Sequence, residues 1–134
     1  MNKTKPIHPH PNSYESLGSG LLGTKVKKVW GHEEIICSTA KYSGKILVLK
    51  KDYQSSFHHH KIKDEVLYIL EGKVLFWLNK NAYILRPKDA IRVRPYVNHS
   101  FRGLKDSKII EFATQDIKSD TYRIIKSRKV RKNK

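Results

Sequence analysis

The sequence predicts an all-β fold, a sandwich or barrel of short strands. Three observations lead there. Apolar and β-branched runs of about five residues recur roughly every 8–12 residues, the spacing of such folds. Turn-forming groups separate them, from Ser43-Gly44 to Lys105-Asp106-Ser107. No helical period persists for three turns; a weak one lies only around Tyr122–Lys126.

Residues 1–25 read as an irregular arm, because Pro6, Pro9, Pro11, Gly18, Gly20 and Gly23 interrupt any regular element. From Val26 the pattern changes. Strands are expected at 34–39 and 45–49, with Ser43-Gly44 turning between them. Ile46-Leu47-Val48-Leu49 has no polar alternation, which suits a strand covered on both faces. Lys51-Asp52 turns the chain into 54–61; Glu71-Gly72 separates 65–70 from 73–78. Asn79-Lys80-Asn81 precedes 82–86, and Pro87-Lys88-Asp89 precedes 90–93. The last strands are expected at 99–102 and 108–113. Phe76 and Trp77 are adjacent, so a strand turns one inward and one outward.

With 134 residues the chain is one domain, large enough to build a core without disulfides or metal staples. Cys37 is the single cysteine, which excludes an intramolecular disulfide framework and suits a reducing compartment. The longest apolar runs, such as Val66–Leu70, are far short of the ~20 residues of a membrane helix. Met1–Asn12 has no apolar stretch of signal-peptide type. A cytoplasmic protein with no membrane partner is expected.

The charge is strongly basic, with 28 Lys and Arg against 12 Asp and Glu. That raises nucleic acid as a partner. Residues 126–134 (KSRKVRKNK) hold six of the basic residues, and without them the net charge is +10. Lys outnumbers Arg, and Arg is the better fork for bases and phosphates. No motif interleaves aromatic and basic residues. The charge therefore reads as a Lys-rich surface with a disordered basic tail over 126–134, and the domain as 26–125.

Phe57-His58-His59-His60-Lys61-Ile62-Lys63-Asp64-Glu65 carries the chemistry. In a strand, His58 and His60 share one face and His59 takes the other. A turn at 61–64 brings Glu65 back beside the two imidazoles. Two neutral histidines and a carboxylate with open positions suit Fe, Mn, Ni or Zn as divalent ions. His99, opening a later strand, is the fourth candidate.

These residues resemble the cupins, small double-sheet jelly-roll barrels. The first cupin motif, G-x5-H-x-H-x(3,4)-E-x6-G, is matched by His58, His60, Glu65 and Gly72. Lys51-Asp52 stands where its opening Gly belongs. The second motif, G-x5-P-x-G-x2-H-x3-N, is matched at His99. Lys88 and Tyr96 replace its glycines, and Gly103 replaces its Asn. The similarity spans about residues 26–115.

Within cupins the chain is similar to the mannose-6-phosphate-isomerase type, through Trp30-Gly31, Ser55-Ser56, Lys63, Tyr68 and Asp120-Thr121-Tyr122-Arg123. The resemblance implies a metal-dependent isomerase or epimerase of a sugar phosphate or nucleotide-sugar, and a homodimer. It leaves an Fe(II) dioxygenase or a non-enzymatic sugar-binding cupin as alternatives. Lys63 or Tyr68 on the cavity wall is the expected proton-transfer group, and Arg92, Arg94 and Arg102 the expected contacts to an anionic substrate.

Overall fold

The computed structural model describes residues 25–130, so the expected arm falls outside them apart from Lys25. The strands are β1 Lys25–Lys28, β2 Gly31–Ser38, β3 Tyr42–Leu49, β4 Tyr53–Gln54, β5 Phe57–His59 and β6 Glu65–Glu71. There follow β7 Val74–Leu78, β8 Asn81–Leu85, β9 Ala90–Val93, β10 His99–Gly103 and β11 Ser107–Thr114. A single 3₁₀ turn, Lys118–Asp120, precedes β12 Tyr122–Ile125 and β13 Arg128–Lys129. The expected strands form within a few residues at their ends, except that 54–61 divides into β4 and β5. Ser43-Gly44 is not the expected turn but lies inside β3; the chain turns just before it, where the Thr39 amide donates to the Tyr42 carbonyl.

Two antiparallel sheets face each other, as in a cupin jelly roll. One runs β1-β2-β3-β11-β6-β9. In the other, β10 takes the short β4 and β5 along one side and β7, then β8, along the other. β12 and β13 extend it by pairing with β5 and β4. Leu47, Leu67, Ile69, Val74, Phe76 and Ile109 fill the space between the sheets at 2% exposure or less. Each such side chain contributes about 1.5–3 kcal/mol by leaving water. Phe76 is the inward member of its pair, and Trp77 lies outside under the Arg102 guanidinium. Ile46 and Val48 are only half-buried, so β3 is covered fully on one face and not, as expected, on both.

The chain's end differs from expectation. Tyr122–Ile125 is a strand and not a weak helix, because pairing with β5 satisfies its backbone. Arg128 and Lys129 pair with Gln54 and Tyr53, and the Val130 amide donates to the Asp52 carbonyl. Backbone pairing therefore continues through Val130, past the expected tail boundary at 126. Backbone pairing needs no apolar side chain, so a basic composition does not prevent it.

Gly72 has φ +92°, and a Cβ there would overlap Ser107 and Asp106. The other motif-glycine sites are more informative. Asp52, Lys88 and Tyr96 all have positive φ, at 67°, 79° and 69°. The left-handed turns persist without glycine because other strands hold them. Their amides donate to the carbonyls of Gly103, Ile69 and His60 respectively.

Candidate functional site

β5 and β10 lie side by side with His58 opposite His99. Period-two alternation sends His58 and His60 into the space between the sheets. His59 points away, stacked 5.2 Å from Tyr122 and bonded to Asn98. The turn after His60 is closed by the buried Asp120 carboxylate, which accepts the backbone amides of Lys61, Ile62 and Lys63. Glu65 then opens β6 facing the histidines. Phe76 lies parallel to the His99 ring at 6.2 Å and backs it from the core.

The imidazoles of His58, His60 and His99 bring one ring nitrogen each within 4.8 Å of one another. Each Nδ1 lies against a backbone carbonyl: Ser56 at 2.9 Å, Asp120 at 2.8 Å and Val97 at 2.9 Å. A carbonyl only accepts, so Nδ1 carries the proton and Nε2 keeps its lone pair. Burial, with His99 and His60 beside it, pushes His58 down to about 3. Burial and the Lys63 charge also push His60 down. Both are neutral at pH 7, the state a metal requires.

Glu65 Oε1 is 3.1 Å from His99 Nε2, and Oε2 is 3.8 Å from His60 Nε2. Burial pushes this carboxyl up, but the facing His99 ring and the Lys63 charge outweigh it and hold the group well below the usual range. Glu65 Oε2 is buried without a donor in hydrogen-bond geometry, although the Lys63 ammonium is 3.1 Å away as an ion partner. Converging Nε2 lone pairs, carbonyl-fixed tautomers and a carboxylate with an unfilled oxygen fit a divalent cation.

The site lines a cavity of about 410 Å³. Its apolar lining is Val26, Trp30, Ile35, Leu47 and Phe101. Ionic residues share that lining. Lys63 Nζ reaches Glu65 at 3.1 Å, Glu111 at 3.6 Å and Asp116 at 3.7 Å. Lys45 bridges Asp116 at 2.8 Å and Glu33 at 3.5 Å. Burial would lower the Lys63 ammonium, but Glu111, Glu65 and Asp116 hold it protonated well above the usual lysine range. Glu111 is the reverse. Burial and the nearby Glu65 push its carboxyl up to about 7, against Lys63 and Lys45. Its Oε2 is buried with no hydrogen-bond donor.

The cupin-domain family matches residues 45–112. The chain belongs to the cupin family. Among solved structures, this cupin is similar to KdgF from a Halomonas species, with TM-score 0.62 and 19% identity, covering 66% of this chain and 81% of that one. It is also similar to Streptomyces Pac13 with uridine, with TM-score 0.67 and 13% identity over 75% of this chain and 83% of that one. Pac13 is described as a nucleoside dehydratase. A cupin superfamily protein of Desulfitobacterium hafniense gives TM-score 0.58 at 15% identity, over 63% and 76% of the two chains. These likenesses are of fold. Among curated proteins none matches.

The cupin barrel brings together His58, His60, Glu65, His99 and Lys63, but not the other candidates. Tyr68 alternates with the buried Leu67 and Ile69, so it faces away from the cavity. Lys63 lines the cavity, but its carboxylate neighbours keep the proton on it, which removes it as a base. Arg92 and Arg94 flank the buried Val93 and so point outward; Arg92 is paired with Asp64 at 2.6 Å. Arg102, between buried Phe101 and Gly103, bonds Gln54 on the outer face. The cavity's cations are Lys28, Lys45, Lys63, Lys118 and Arg123.

Glu111 and Asp120 were also missed. Glu111 had a readable signal: it is acidic at an inward position, two residues after the buried Ile109. Asp120 was singled out only as part of the Asp120–Arg123 resemblance, and its role was not readable, since its partners lie about sixty residues away. Among the described residues no helix is long and apolar enough to cross a membrane.

Proposed function

We propose that this cupin holds a divalent metal through His58, His60, Glu65 and His99 and acts on an anionic sugar derivative, a sugar phosphate or nucleotide-sugar, with isomerase- or epimerase-like chemistry. The observation that carries the reading is the triple Nδ1-to-carbonyl anchoring of the histidines beside a half-satisfied buried carboxylate. Zn, Mn, Ni and Fe all suit that donor set. A bound ion would polarise a substrate carbonyl or hydroxyl oxygen.

The chain supplies the rest. Glu111 lines the cavity, and its carboxyl is the group suited to take a proton from a sugar carbon and return it, since its affinity for a proton is near neutrality. The Lys63 ammonium opposes the charge that Glu111 and Glu65 carry. Trp30 and Phe101, packed edge to face at 5.3 Å, offer an apolar surface to a sugar ring and exclude water. The homodimer implied by the resemblance belongs to this reading, as does the cytoplasmic location. Val66, Tyr68, Ile110 and Phe112 form an apolar outer sheet face that a second copy would cover.

The same base and donor set suit the removal of water from a sugar. That second reading is supported by the fold shared with the nucleoside dehydratase Pac13. Metal analysis of purified protein, followed by incubation with sugar phosphates in heavy water, separates them. Deuterium entering the substrate carbon without loss of water supports the isomerase; loss of water supports the dehydratase. Bound iron with substrate-dependent oxygen uptake would overturn both in favour of a dioxygenase.

A further inference from the structure

Arg123 stands directly opposite His58 in the pairing of β12 with β5. Cross-strand partners share a face of the sheet. The neighbouring pair fixes which face. Tyr122 stacks on His59 outside the barrel, 5.2 Å between ring centroids and 17° from parallel. Arg123 must then point inward with His58, and it does line the cavity.

Lys118, on the 3₁₀ turn that leads into β12, lines the same cavity. Both residues are exposed, whereas His60, Glu65 and His99 are buried. The cavity thus has its donor set at the floor and these two cations at the mouth. The other lining cations are already engaged: Lys45 and Lys63 with carboxylates at 2.8–3.7 Å, and Lys28 with Glu33 at 3.8 Å. Among the described residues, no carboxylate lies within ion-pair distance of Arg123 or Lys118.

We propose that Arg123, assisted by Lys118, is the specificity-determining anion clamp of the cavity, holding the oxyanion of a small substrate whose reacting end lies toward the histidines. This rests on the anionic-substrate reading above and replaces Arg92, Arg94 and Arg102 in that role. A guanidinium presents two parallel N–H donors that match a phosphate or carboxylate edge, and the Lys118 ammonium adds a point charge. The position near the mouth also draws anions in, with an attraction that weakens as salt rises.

The test is calorimetric titration of the metal-loaded protein with mannose, mannose 6-phosphate, glucuronate and guanosine diphosphate mannose. The proteins are wild type, Arg123→Gln, Arg123→Lys and Lys118→Gln. Metal content and melting temperature are measured for each. The expected result is preference of the wild type for at least one anion over mannose. Arg123→Gln loses tenfold or more of that affinity, Arg123→Lys recovers part, and Lys118→Gln loses less than Arg123→Gln. Metal content and melting temperature stay at wild-type values. The sugar phosphate and the sugar acid separate a phosphate clamp from a carboxylate clamp. If Arg123→Gln keeps wild-type affinity for a preferred anion, the clamp is wrong while the anionic-substrate reading stands. If the wild type binds mannose as tightly as every anion, that reading fails and the clamp with it.

Discussion

The backbone carbonyl of Asp120 accepts the Nδ1–H of His60 at 2.8 Å, and the Asp120 carboxylate accepts the three amides that follow His60. One residue on the segment before β12 thus orients a histidine of the donor set and closes the turn that returns Glu65 to it. Segment and site are mechanically linked, although far apart in sequence.

Asp120→Ala leaves three amides without their acceptor and should destabilise the protein by about 2–3 kcal/mol. Metal affinity should fall about ten- to a hundredfold, since the support of His60 loosens. Burial raises the Asp120 carboxyl, but the three amides outweigh it and hold it below its ordinary value. Its contribution is therefore complete above the unfolded pKa near 4 and is lost as pH falls through the lower folded value. Chemical denaturation from pH 2 to 7 should show the difference from Asp120→Asn shrinking toward the acid end. A constant difference would contradict this.

His60→Ala and His99→Ala should each lose bound metal on dialysis, because each removes one donor from a small set. Glu65→Gln keeps shape but removes charge and should retain metal weakly. Elemental analysis after dialysis reads all three. Stoichiometric metal in either histidine variant would refute the assignment.

Glu111 titrates with the opposite sign to Asp120. Its folded pKa, about 7, lies above the ordinary 4.5. Between those values the folded state binds more proton than the unfolded, so its contribution to stability falls as pH rises through the window. The metal-free wild type should therefore lose stability relative to Glu111→Gln between about pH 4.5 and 7, and the difference should level off above it. Urea midpoints across that range give the answer. A difference that grows in favour of wild type would show the carboxyl is stabilised in its charged form.

Lys88, exposed and held at φ +79°, carries left-handed strain of about 1 kcal/mol that glycine would not. Glycine also adds freedom to the unfolded chain, so Lys88→Gly should be neutral to slightly stabilising, within about 1 kcal/mol. Lys88→Val should cost about 1–2 kcal/mol more than Lys88→Gly, since β-branching disfavours that region. Thermal melts of the three proteins decide the order Gly, Lys, Val.

Much of the fold was legible because strand pairing leaves local marks. Alternation in Ile91-Arg92-Val93-Arg94, punctuation at Glu71-Gly72 and the His58-x-His60 spacing each report a side chain's face without knowing its neighbour. His58, His60 and Glu65 were legible for the same reason, their spacing being a property of β5, the following turn and the start of β6; His99, on β10, joins them through strand pairing. Alternation with Ile91 and Val93 also placed Arg92 on the outer face, but the continuous apolar run Val66–Leu70 left the face of Tyr68 unmarked.

By itself the sequence determined an all-β barrel or sandwich and the shared face of His58 and His60, because the period of a strand is set by backbone geometry; the two-sheet jelly roll came from the resemblance to cupins. Only the tertiary structure decided which charges meet. Lys63 gathers Glu65, Glu111 and Asp116, from positions up to 53 residues away in the chain, into one buried group. Pairing of β12 with β5 sets Arg123 opposite His58. The energy of a buried charge depends on every charge and dipole within a few ångströms, and that neighbourhood exists only once the sheets close. A lysine that composition offers as a base thereby becomes a fixed cation, and a glutamate inside an apolar strand becomes the group that exchanges a proton near neutrality.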